Sequence, residues 1–282
     1  MSANDRPQAI APRLAAAFAA PRAEHAALIP YFTGGYPNRA TSHALVAEAI
    51  AAGADIVELG VPYSDPVADG PVVQRSAHRA LLAGTTTDDV LAIAAAHAAD
   101  APFVLLAYVN SVLAFGPDRF FARAAASGVE GVVIPDLPAD EMRTPCAGGD
   151  SLLGRALAHG VALIPLATPP STDERLDLIV AAARAFVYCV AVVGVTGPRR
   201  ELGDELPGLV ARLRTRTAAP LVAGFGISTP RQAAEAAAVA DGVIIGSALI
   251  AAAEDGPSAA TALIRAAADA IAEAAGTTDD LI

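Results

Sequence analysis

Eight short apolar runs, rich in β-branched residues and alternating with helix-forming stretches, constrain this chain more than any other feature of its sequence. The runs are Ala27 to Phe32, Ile56 to Leu59, Phe103 to Tyr108, Val132 to Pro135, Ala162 to Leu166, Phe186 to Val190, Leu221 to Ala223, and Gly242 to Ile245. They are continuously apolar instead of alternating, the pattern of parallel strands buried on both faces. Helices must cover them, and the segments between supply candidates: Thr41 to Ala52, Val72 to Ala83, Thr87 to Ala98, Asp118 to Ser127, Leu152 to His159, Thr172 to Ala183, Leu206 to Thr217, Thr229 to Ala238, and Ser258 to Ala275. Eight strand-then-helix units over 282 residues give about 35 residues per unit, which predicts a single (β/α)8 TIM barrel with extra short helices. An open dinucleotide-binding sheet would carry a GxGxxG turn after its first strand, and here Thr33, Gly34, Gly35, Tyr36 and Pro37 follow instead. The expected layout is one domain over 1–282: an N-terminal helix and lead-in over 1–26, the barrel over 27–275, and a mobile tail over 276–282.

Composition narrows the function. Hydrophobic residues are 54% of the chain and charged ones 17%, which excludes intrinsic disorder. The net charge of −11 repels phosphate backbones, so no nucleic-acid partner is expected. All 19 basic residues are Arg, and without lysine there is no Schiff-base chemistry and no anchor for pyridoxal phosphate. Cys146 and Cys189 lie far apart with no CxxC spacing, which argues against a disulfide framework or zinc site and for the cytoplasm. No apolar run approaches the ~18 residues of a membrane span, and the stretch Leu14 to Ala20 between Arg13 and Arg22 reads as an amphipathic helix.

In a barrel enzyme the catalytic groups stand at the C-terminal ends of strands, which makes the search narrow. Glu58 sits inside the apolar run Ile56, Val57, Glu58, Leu59, where burial raises a carboxyl pKa and makes a proton shuttle. Its structural alternative is a buried pair with Arg, and no Arg lies at a strand end. Asp69 follows in a loop long enough to return over the barrel mouth, and two carboxylates in different environments form an acid and base pair. Asp136, after the fourth run, fits a helix cap and a site role equally well. The five histidines fall in or beside helices, away from the mouth, which weakens metal catalysis and a Ser-His-Asp triad. No cofactor or metal is expected. Gly224 and Gly226 after the seventh run, and Gly246 with Ser247 after the eighth, occupy the two places where a barrel builds a phosphate site. The loop Val193 to Pro198 after the sixth run can close as a lid.

The stretch Glu58, Leu59, Gly60, Val61, Pro62, Tyr63, Ser64, Asp65, Pro66, Val67, Ala68, Asp69, Gly70, Pro71, followed by Gln74, closely resembles the signature of the tryptophan synthase alpha subunit family. Pro30 to Thr33 with Gly35 and Pro37, Gly194 to Gly197, Gly224 to Ser228, and Gly246 with Ser247 match the same family in the same order, so the resemblance covers about Arg13 to Ala274. It implies cleavage of indole-3-glycerol phosphate to indole and glyceraldehyde 3-phosphate, a carbon–carbon lyase reaction in tryptophan biosynthesis. Indole would pass to a beta subunit in an alpha2beta2 heterotetramer. By the same resemblance Glu58 is the proton-shuttling glutamate and Asp69 accepts the indole N–H. Thr196 is the lid threonine; Gly197, Gly226, Gly246 and Ser247 bind phosphate; and Tyr31, Leu106, Tyr108, Tyr188 and Phe225 line the indole pocket. Asp65 and the loop from Pro62 to Asp69 correspond to a region facing the beta subunit.

The chain departs from the family pattern at Tyr31, where Phe is frequent, at Ala191, where Ser is frequent, and at Pro198, where Ala is common. It is also longer around Thr144 to Ser151, where a flexible excursion is expected. The reaction needs a proton delivered to the ring carbon and protons taken from the ring N–H and a hydroxyl, all within the reach of carboxylates. Two rival readings keep the barrel: an isomerase of another phosphorylated sugar derivative, and a weakly catalytic subunit that activates a partner.

Overall fold

Along each strand of the barrel, alternate side chains point inward and outward, and both sets are apolar because helices cover the outside. A computed structural model describes residues 10–19, 25–146, 149–190 and 205–279. The strands are β1 (Ala27–Thr33), β2 (Val57–Gly60), β3 (Phe103–Leu106), β4 (Val129–Val133), β5 (Ala162–Ile164), β6 (Leu166–Ala167), β7 (Val187–Val190), β8 (Leu221–Gly224) and β9 (Gly242–Ile245). The helices are α1 (Pro12–Ala19), α2 (Arg39–Ala51), α3 (Pro71–Leu82), α4 (Thr87–His97), α5 (Val109–Phe115), α6 (Pro117–Ala126), α7 (Leu152–Ala158), α8 (Asp173–Ala182), α9 (Glu205–Arg214), α10 (Pro230–Ala237), α11 (Ser247–Glu254) and α12 (Pro257–Asp279).

All the strand pairs are parallel, in the order β5-β4-β3-β2-β1-β9-β8-β7-β6. The two ends of that order are consecutive in the chain and joined by Pro165 alone, so the sheet closes into the expected barrel. Proline has no N–H to donate, which divides the single run Ala162 to Leu166 into β5, paired to β4, and β6, paired to β7. The Pro165 carbonyl still accepts from Tyr188 N at 3.0 Å and spans the gap.

Ile29, Tyr31, Ile56, Val104, Leu106, Val133, Ile164, Tyr188, Val222 and Ile244 pack together inside the barrel, while Leu28, Val57, Leu59, Leu105, Val132, Leu163, Val187, Leu221, Val243 and Ile245 pack outward against the helices. The N-terminal helix closes one end. Its Leu14 and Phe18 are buried with the inward set, Phe18 meets Phe186 edge-on at 5.5 Å, and the Glu130 carboxylate accepts from the backbone N–H of Arg13 (2.8 Å) and Leu14 (3.0 Å). That carboxylate satisfies two of the N–H groups that a helix start leaves open.

Several boundaries differ from the sequence expectation. The third strand stops at Leu106, not Tyr108, because the chain turns into α5 at Val109. The fourth begins at Val129, ahead of the apolar run, and its register on β3 shifts to accommodate Glu130. The short helices α5 and α11 escaped the periodicity argument, and α12 continues to Asp279, past the expected barrel boundary at Ala275. The excursion at Thr144 to Ser151 is partly tied down: Pro145 and Ser151 form an antiparallel bridge, and Cys146 N donates to Asp150 O at 3.1 Å.

Candidate active site

Residues Tyr31 and Glu58 are partners in the β1–β2 register, and so share the inward face. Tyr31 fits because its neighbours lack side chains. A Cβ at Gly60 would lie 2.1 Å from the Tyr31 hydroxyl, and one at Gly246 would lie 3.1 Å from its ring. The ring is thus held between the end of the strand that carries Glu58 and the loop that opens α11. Tyr188 uses the same device, since a Cβ at Gly224 would lie 2.4 Å from its hydroxyl, and it meets Phe225 at 5.5 Å. Leu106 is buried on the same inward face. After β8 the backbone turns through two successive left-handed residues, Phe225 (φ 65°) and Gly226 (φ 86°), which sets the Phe225 ring at the lip of the mouth.

Glu58 is 1% exposed, and neither of its carboxyl oxygens has a hydrogen-bond partner among the described residues. Desolvation, followed by the nearby charge of Asp69, pushes its pKa up to about 8. The group is therefore a neutral acid near pH 7. Asp69, on the loop after β2, is raised less, to about 6: burial drives it up, while the hydrogen bond from Tyr108 opposes the rise. Tyr108 Oη donates to Asp69 Oδ2 at 3.1 Å. Near neutral pH the pair thus holds one acid and one base, the division of labour that acid–base catalysis requires.

Above these groups opens a cavity of about 820 Å3, lined by the Asp69 loop, by Asp136 and its neighbours after β4, by Thr168, Ser171 and Arg175, and by Val190 and Phe225. Of the two late helices, α10 is closed by its own capping box, in which Gln232 Oε1 accepts from Thr229 N at 3.2 Å. By contrast α11 starts at Gly246 with no side-chain cap among the described residues, which leaves its first N–H groups without one at the mouth. Asp136 serves as a cap: its Oδ1 accepts from Val109 N at 2.9 Å at the start of α5.

Comparison with known proteins identifies the family. The family profile described as tryptophan synthase alpha chain matches residues 18–279. The chain belongs to the tryptophan synthase alpha chain family. The tryptophan synthase alpha chain of Pelobacter propionicus is 45% identical over 226 residues, covering 79% of this chain and 82% of its own length. That of Gluconacetobacter diazotrophicus is 45% identical over 243 residues, 85% and 86% of the two chains. Among solved structures, Mycobacterium tuberculosis tryptophan synthase superposes with a TM-score of 0.85 at 38% identity, over 92% of this chain and 98% of that one. The tryptophan synthase alpha chain of Legionella pneumophila gives 0.80 at 32% identity, over 92% and 97%.

Of the residues the family signature singles out, Glu58, Asp69, Tyr31, Leu106, Tyr108, Tyr188 and Phe225 converge on the mouth or the barrel interior beneath it, and Gly226, Gly246 and Ser247 lie on the two late loops. Thr196 and Gly197 lie outside the described residues, as do Ala191 and Pro198. Sequence reasoning missed Thr168, Ser171 and Arg175 on the cavity wall. They stand after β6 on the far side of Pro165, and the one signal was the cluster of small polar residues Thr168, Ser171 and Thr172, which does not extend to Arg175 in the first turn of α8. No helix among the described residues is long and apolar enough to cross a membrane.

Proposed function

We propose that this chain cleaves the carbon–carbon bond of indole-3-glycerol phosphate, releasing indole and glyceraldehyde 3-phosphate. The observation that carries the reading is the buried, neutral Glu58, unpartnered among the described residues, beside the more acidic Asp69. Glu58 donates its proton to the ring carbon that bears the glycerol chain, while Asp69 takes the ring N–H proton. The carboxylate left on Glu58 then removes the hydroxyl proton of the adjacent chain carbon. The carbon–carbon bond breaks, an aldehyde forms, and Asp69 returns its proton to the ring nitrogen. Both groups end as they began, so no external acid, base or metal is consumed.

Tyr31, Leu106, Tyr188 and Phe225 supply the flat apolar walls that an indole ring needs, and the open N–H groups of α11 at Gly246 and Ser247, with Gly226, suit the phosphate. By the family resemblance Thr196 is the lid threonine and Gly197 joins the phosphate-binding set, and both lie outside the described residues. A beta subunit takes up the indole, in an alpha2beta2 assembly. The loop carrying Asp65 presents Val67, 80% exposed, beside an outer groove of about 660 Å3 lined by Tyr63, Arg75 and His78, a surface suited to that partner. Free Cys146 and Cys189 are consistent with the cytoplasm. The test is to incubate the purified chain with indole-3-glycerol phosphate and follow indole, with and without a beta subunit. Release that Asp69→Asn abolishes is expected; no release under either condition contradicts the assignment.

A further inference from the structure

We infer that Tyr108 is a positioning residue for Asp69, fixing which carboxylate oxygen faces the reacting ring and holding that carboxylate in its basic form. The inference rests on the reading of Asp69 as the base that takes the ring N–H proton. Its warrant is a directed chain of hydrogen bonds. Ala68 N donates to Tyr108 Oη at 3.0 Å. A backbone N–H can only donate, so the hydroxyl oxygen accepts there and its single proton points to Asp69 Oδ2 at 3.1 Å. One Asp69 oxygen is thereby occupied, which among the described residues leaves Oδ1 for the substrate.

The hydroxyl can direct a carboxylate because the ring cannot move. Tyr108 is buried and stacks on Tyr63 at 5.0 Å with 23° between the planes, and Tyr63 Oη in turn accepts from Asn110 Nδ2 at 3.0 Å. Tyr108 is also the residue from which α5 starts, where Val109 N donates to Asp136 Oδ1 at 2.9 Å. Asp136 thus acts one step further back, by fixing the backbone that carries Tyr108. From the other side, Asp69 O accepts from Gln74 Nε2 at 2.9 Å, which fastens the loop to α3.

The titratable groups that bear on Asp69 are Glu58 from β2, Tyr31 from β1, Tyr188 from β7 and Tyr108 itself, with Asp136 and Arg175 on the wall of the same cavity. Burial holds the three tyrosines neutral, so among the described side chains Tyr108 is the hydrogen-bond donor that favours the charged form of Asp69. Removing it raises the Asp69 pKa, and because the base must be ionised, the acid limb of the rate profile moves to higher pH.

The test uses Tyr108→Phe, which keeps the stacked ring and deletes the hydroxyl. Its kcat/KM for indole release is expected to show the acid limb about one pH unit higher than in the parent, a loss of about tenfold at the acid end with a much smaller change at the plateau. In an Asp69→Asn background the same substitution is expected to change the residual rate less than about twofold, because a residue acting through Asp69 has nothing left to act on. Asp136→Ala, which leaves Tyr108 itself intact, should move the limb the same way by a smaller amount and decides the matter if Tyr108→Phe does not fold. An unmoved limb, or losses that multiply in the double variant, would overturn the role of Tyr108 alone. Absence of indole release by the parent chain would instead overturn the reading of the site, and this role with it.

Discussion

Replacing Glu58 by Gln is expected to make the protein more stable while destroying its activity. Gln has nearly the shape of the neutral carboxyl and no charge to desolvate. The Glu58 pKa rises from its ordinary 4.5 to about 8 on folding, so between those values the folded chain holds a proton that the unfolded chain has released. More protons bound in the folded state means that stability falls as pH rises through that window. At about pH 7 the span above 4.5 is roughly 2.5 units, which at 1.36 kcal/mol per unit is about 3 kcal/mol, and above pH 8 it approaches about 5 kcal/mol. Domains are stable by only about 5–15 kcal/mol, so the effect is large. Urea unfolding of parent and Glu58→Gln at about pH 5, 7 and 8 is the assay: the variant's advantage should be nearly absent at the lowest pH and grow with each step. Indole release should fall by roughly 10² to 10⁴-fold. A variant no more stable at about pH 8, or one with the same advantage at every pH, would mean that Glu58 is ionised and satisfied in the fold, and the acid assignment would fail.

Gly60→Ala places a Cβ 2.1 Å from the Tyr31 hydroxyl and 2.7 Å from its Cζ, so a loss of about 1–3 kcal/mol is expected, partly relieved by Tyr31→Phe. Equal destabilisation with and without the Tyr31 hydroxyl would count against this packing. Glu130→Ala deprives the N–H groups of Arg13 and Leu14 of their acceptor; thermal unfolding should report a loss of about 1 kcal/mol, and an unchanged midpoint would show that the carboxylate does not cap α1. Gly246→Val should raise the substrate KM more than it lowers kcat, since a side chain there intrudes on the uncapped start of α11; an unchanged KM would remove that helix from phosphate binding.

Strand positions were legible because both faces of a barrel strand are buried, so the apolar runs stand out regardless of register. The run Ala162 to Leu166 was read as one strand because hydropathy cannot register the N–H that Pro165 lacks. α5 and α11 were invisible for a related reason: each is short and follows directly on a strand, so its apolar residues merge into the preceding run instead of showing a helical period. Glu58 stands out in the sequence because a carboxylate in an apolar strand contradicts its surroundings, and Asp69 because its loop is long enough to return over the barrel mouth; the structure brings both to that mouth. Asp136 was ambiguous in the sequence, and the structure shows a cap that also lines the cavity. The link from Tyr108 to Asp69 could not be read at all. It joins residues 39 apart through two loops whose meeting depends on barrel closure.

The most direct test of the central claim, that Glu58 works as a neutral acid beside an ionised Asp69, is the pH dependence of kcat/KM for indole release by the parent chain. The account predicts a bell with its acid limb near 6, where Asp69 ionises, and its basic limb near 8, where Glu58 loses its proton. A rate that keeps rising past about pH 8, or an acid limb at the ordinary carboxylate value near 4, would contradict it.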